Sequence, residues 1–121
     1  MASDQSSGES VRILLVEDSP ADRLLVERLF RDRVTVAPDA EAALEAVRRQ
    51  SFAAILLAQS LPRRSGLEAL RDLRAASDAT PILTTECGDE DIRQAALDAG
   101  ATACVVKQMG VPRWTTPSTG R

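Results

Sequence analysis

Five short apolar runs, each of the first four leading into a helical pattern, limit most strongly how this chain folds. Val11-Arg12-Ile13-Leu14-Leu15-Val16 is almost continuously apolar, as a strand buried on both faces requires. It stops at Glu17-Asp18. Ser19 then stands as N-cap, Pro20 at the first helical position and Asp22 as a first-turn acid, with Leu24, Leu25 and Leu29 as the helix's apolar stripe. Val34 to Ala37 reads as a second strand, and Asp39 caps a helix through about Gln50 whose Ala43, Leu44 and Val47 face inward. Ala53 to Leu57 is the third strand. Ser65 and Glu68 spell a capping box that opens a helix with Leu67, Leu70 and Leu73 on one side. Pro81 to Thr85 is the fourth strand, and Asp89 to Ala99 a helix with Gly100 just past its end. Ala103 to Val106 is the fifth, ending at Lys107.

Strands that alternate with helices at this spacing form a parallel sheet covered on both faces. Right-handed crossovers then favour a flavodoxin-like, doubly wound five-stranded sheet in the order 2-1-3-4-5. The 121 residues suffice for one domain with one core. Residues 1–10 read as a disordered lead, 11–107 as the domain, and 108–121, with two prolines, two glycines and no apolar period, as an irregular tail.

Composition removes several functions. A net charge of −3 gives no global pull toward nucleic acid, and Arg48-Arg49 and Arg63-Arg64 look like solvated faces without interleaved aromatics. No apolar run approaches a membrane span, and the polar N-terminus lacks a signal core, so a cytoplasmic location is expected. With no histidine and only Cys87 and Cys104, zinc and the commonest general base are absent.

In a doubly wound sheet, ligands bind beyond the carboxyl ends of the strands. Those ends deliver Glu17 and Asp18, Ala58, Thr84 or Thr85, and Lys107 to one rim. Carboxylates suit Mg²⁺, while a hydroxyl and an ammonium suit a phosphoryl group.

At this point "ILLVEDSPADRLLVERLF", "AAILLAQSLPRRSGLEALRDLR" and "DEDIRQAALDAGATACVVK" resemble the CheY-like response-regulator receiver domains of two-component signalling, over about residues 11 to 107. The resemblance implies that Glu17 and Asp18 are the Mg²⁺-holding acids, and that Thr85 and Lys107 contact a phosphoryl group. It also implies an aspartate at the end of strand three as the phosphoacceptor. Counting from Leu61-Pro62 and Gly66, that position is Ala58. A methyl group cannot form an acyl phosphate, nor can it give a metal its third carboxylate, so Mg²⁺ affinity is expected to fall.

Three further departures accompany it. Strand four is one residue short, so counting back from Lys107 selects Thr85 whereas counting forward from Pro81 selects Glu86. Cys104 occupies the switch-aromatic position, and the family's last helix is missing or replaced by the tail, which is expected to expose apolar surface. Glu86, in the space normally left for phosphoryl, would imitate phosphorylation if it paired with Lys107. The reading is a degenerate, non-enzymatic receiver that binds a histidine kinase, another receiver or an output protein. Alternatives are a truncated receiver that dimerises as an interaction domain, or a weakly Mg²⁺-dependent receiver phosphorylated elsewhere.

Overall fold

The computed structural model describes residues 11–86 and 90–107, with 108, 111 and 112 described as backbone. The expected lead, Cys87 and the rest of the tail, including any last helix, lie outside the described residues. Strands β1 (Ile13–Val16), β2 (Val34–Ala37), β3 (Ala54–Ala58), β4 (Thr80–Thr85) and β5 (Ala103–Gln108) alternate with helices α1 (Pro20–Phe30), α2 (Ala40–Arg49), α3 (Gly66–Ala76) and α4 (Glu90–Asp98). The five strands are parallel in the order β2-β1-β3-β4-β5, the flavodoxin-like order read from the alternation. One correction concerns the tail. β5 runs on to Gln108, and β6 (Val111–Pro112) turns back antiparallel against it. Proline is tolerated there because β6 is an edge strand, where a missing N–H disrupts no interior ladder.

The helices start where their capping residues dictate. Asp22 N–H donates to Ser19 Oγ at 3.4 Å, and Ala42 N–H to Asp39 Oδ1 at 2.9 Å. Ser65 and Glu68 close both halves of the capping box at 3.2 Å each. Gly100, at φ 110°, ends α4 in the left-handed region.

Alternation along the strands sends side chains to two layers, unequal among the described residues. Leu14, Val16, Ile55, Leu57 and Leu83 are buried beneath α2, α3 and α4. On the opposite face Leu15 and Leu56 meet Val26 of α1, with Phe30, Val34, Val36 and Ile82 half-buried around them. The leucine stripe expected on α1 is therefore corrected. Val26 is the buried position, Leu25 is half-buried, and Leu24 and Leu29 are 53% and 50% exposed. Val26 and Phe30, one turn apart, seat the helix on the sheet, and that seat rotates Leu24 and Leu29 outward.

The turn after β3 is held by close backbone approach. Gly66 N–H donates to Gln59 O at 2.9 Å, and a Cβ at Gly66 would stand 2.3 Å from Ala58 O and 2.8 Å from Leu83 Cδ1. Gly66→Ala is therefore expected to cost about 2–3 kcal/mol, the upper part of the range for overpacking, read as a lowered urea midpoint with an unchanged slope.

Candidate functional site

The carboxyl ends of β1, β3, β4 and β5 meet at a small cavity of about 70 Å³. It is lined by Glu17, Asp18 and Ser19 after β1, by Ala58, Gln59 and Ser60, by Thr84, Thr85 and Glu86, and by Lys107. Every residue singled out for phosphoryl or metal chemistry is thus in one place. Cys104, at the switch-aromatic position, does not line the cavity: it is half-buried and packs against the core beneath α2, α3 and α4, where burial pushes its thiol pKa up. Ala58 closes β3 as a buried methyl, in register with Thr84. Thr84 and Thr85 are both buried and both line the cavity.

Lys107 dominates the electrostatics. It is the chain's single lysine beside fourteen arginines, and its side chain is 7% exposed. Its Nζ donates to Glu17 Oε1 at 2.9 Å and to Asp22 Oδ2 at 2.6 Å. Glu17, 5% exposed, also accepts from Ser19 N–H through Oε2 at 3.2 Å. Burial pushes the Glu17 carboxyl above the usual glutamate range, and the Lys107 ammonium draws it part of the way back. For Lys107 burial works to lower the pKa, but the hydrogen bonds and charges of Asp22 and Glu17 outweigh it, and the net shift is upward.

Glu86 does not take the part expected of a phosphate mimic. It is exposed at the rim, and Lys107 is paired with Glu17 and Asp22 instead. The strand-one acid and the first-turn acid already neutralise the ammonium, so no charge is left to draw Glu86 inward.

Asp22 is the site residue that sequence reasoning missed. It reads as an ordinary first-turn acid, yet the first turn of α1 starts beside the ends of β1 and β5, and its third residue reaches Lys107. Gln59 also escaped notice: its Oε1 accepts from Leu67 N–H at 2.9 Å and fixes the start of α3. Arg63 and Arg64 are not simply solvated. Arg63, at φ 69°, bonds Asp39, while Arg64 bonds Asp72 Oδ2 at 2.7 Å and Glu68 O at 3.1 Å, tying the β3–α3 turn to α2 and α3.

With that geometry in view, the comparisons with known proteins agree. The model of the response regulator receiver domain family matches residues 13–116. This chain belongs to that family. A receiver domain of the sensor histidine kinase PA1611 from Pseudomonas aeruginosa, solved with magnesium coordinated in its active-site cleft, is 31% identical. It superposes with a TM-score of 0.72 over 83% of this chain and 87% of that one. The Vibrio cholerae chemotaxis protein CheY4 shares the fold at a TM-score of 0.75 and 24% identity, over 82% of this chain and 88% of that one. Response regulator MprA of Mycobacterium ulcerans is 40% identical over 99 residues, 76% of this chain and 41% of the relative. The autoinducer 2 sensor kinase/phosphatase LuxQ of Vibrio vulnificus is 31% identical over 109 residues, 86% of this chain and 13% of that protein. The receiver chain therefore spans less than half the length of these two curated relatives.

No helix of the described residues is long and apolar enough to cross a membrane. Among the described residues no group of three or more Asp, Glu, Cys or His side chains stands together as a metal-binding set.

Removing the ammonium leaves the buried Glu17 carboxylate beside the partly exposed Asp22 with no counter-ion between them. Lys107→Met is expected to cost about 3 kcal/mol in urea melts at neutral pH, as breaking a buried pair does. The pH dependence has a definite sign. Because its folded pKa is raised, Lys107 contributes stability that is complete below its ordinary value and is lost as pH rises through the raised one. Wild type is expected to lose stability in that alkaline window, and Lys107→Met to lack that step.

Proposed function

We propose that this chain is a receiver that keeps the family's frame without its phosphorylation chemistry and acts by binding a protein partner. The methyl of Ala58 at the end of β3 carries the reading. A phosphoryl donor needs an attacking carboxylate there, and neither Gln59 nor Ser60 supplies one. The charge around the cavity points the same way: Glu17, Asp18 and Glu86 outnumber Lys107, so an incoming phosphate meets net negative charge.

The residues present do not fit a resident Mg²⁺. Glu17 has one oxygen on Lys107 and the other on a backbone amide, and position 58 offers no oxygen from its side chain. Any Mg²⁺ bound there is held weakly, through Asp18 and water. The function is binding rather than catalysis, and the partner is a histidine kinase, another receiver or an output protein of a cytoplasmic two-component pathway. A second reading, self-association, rests on the half-exposed Leu24 and Leu29 of α1.

Incubation with acetyl phosphate and Mg²⁺, or with a phosphorylated histidine kinase, is expected to leave the chain without an acid-stable, base-labile acyl phosphate. Such a phosphate would overturn the reading. Phosphate located by mass spectrometry on another residue would favour modification elsewhere. Sedimentation velocity tests self-association: a monomer at all concentrations removes that second reading.

A further inference from the structure

The structure assigns Asp22 a role beyond that of a first-turn acid of α1: we propose that it is the counter-ion that stands in for the missing strand-three carboxylate and holds Lys107 turned toward α1. This rests on the receiver reading above, because only there does position 58 matter to the lysine. A buried ammonium needs opposite charge within hydrogen-bond reach, since taking it out of water costs several kcal/mol. Ala58 borders the same cavity and contributes only a methyl. The charge comes instead from Glu17 at 2.9 Å and Asp22 at 2.6 Å. Asp22 is 22% exposed, so it is the less desolvated of the two acids, while its contact with Lys107 is the shorter. The pair ties the first turn of α1 to the end of β5, across 85 residues of chain.

One consequence separates this from a plain structural contact. A carboxylate restored at position 58 does not find a free lysine. It becomes a third negative charge around one ammonium, and the repulsion falls on folding and on phosphorylation alike. Asp22 acts through Lys107, as a positioning residue.

A double-mutant cycle tests it, with Ala58→Asp, Asp22→Asn and both together. The drop in urea midpoint caused by Ala58→Asp is expected to shrink by half or more when Asp22→Asn is present. Loss of the favourable charge at the start of α1 occurs in both arms and cancels. Asp22→Glu, which keeps the charge, is expected to preserve the full drop. In the phosphorylation arm, acetyl phosphate with Mg²⁺ is the donor. The carboxylate introduced at 58 attacks phosphorus, an O–P bond forms, and acetate leaves with the electrons of the P–O bond it gives up. The double variant is expected to react at least about tenfold faster than Ala58→Asp alone, a difference of about 1.4 kcal/mol in barrier. Additive midpoint shifts, or equal rates with the single variant already reactive, overturn the proposal. If the midpoints couple but neither variant is phosphorylated, the counter-ion role stands and the receiver-type pocket is what fails.

Discussion

A single buried ammonium organises the carboxyl end of this sheet. Lys107 is brought in by β5, whose parallel pairing with β4 fixes where it ends. Once there it cannot be left unpaired, because the desolvation penalty of a charge exceeds what a small domain tolerates. Glu17 and Asp22 satisfy it, and in doing so they draw the end of β1 and the first turn of α1 onto β5. The cavity that remains is small, acidic on balance and closed at one side by a methyl.

The fold was legible because it is written in local signals. Ser19, Asp39 and the Ser65–Glu68 box begin helices in the structure as their spacing demands, and Gly100 closes one in the left-handed region. Ala58 was equally legible, since its place follows from counting between Gly66 and the apolar strand. What sequence could not reveal was which charges pair. Glu86 lies nearer in sequence to the expected contact, but pairing is decided by which elements converge, and Asp22 is separated from Lys107 by 85 residues. The α1 stripe failed for a related reason. Leu24, Leu25 and Leu29 are spaced for a helix face, but the sheet selects the face, and it selected the one carrying Val26 and Phe30.

The β3–α3 turn is held firmly around the methyl of Ala58. Gly66 still lies against the carbonyl of Ala58, Gln59 fixes the first amides of α3, and Arg64 braces the turn against Asp72. On the proposed reading, such a frame would present a fixed shape to a partner without an acyl phosphate to order it. Among the described residues, α2, α3 and α4 cover a large core, whereas α1 stands over a smaller one with two leucines facing out.

Selective ¹⁵N labelling of lysine measures the central interaction directly, because Lys107 is the chain's one lysine and gives one side-chain ammonium signal. The predicted result is an ammonium protected from rapid hydrogen exchange at neutral pH, altered by Asp22→Asn and unmoved by Mg²⁺ with acetyl phosphate. A fast-exchanging ammonium indifferent to Asp22→Asn, or one that shifts when Mg²⁺ and acetyl phosphate are added to wild type, would contradict it.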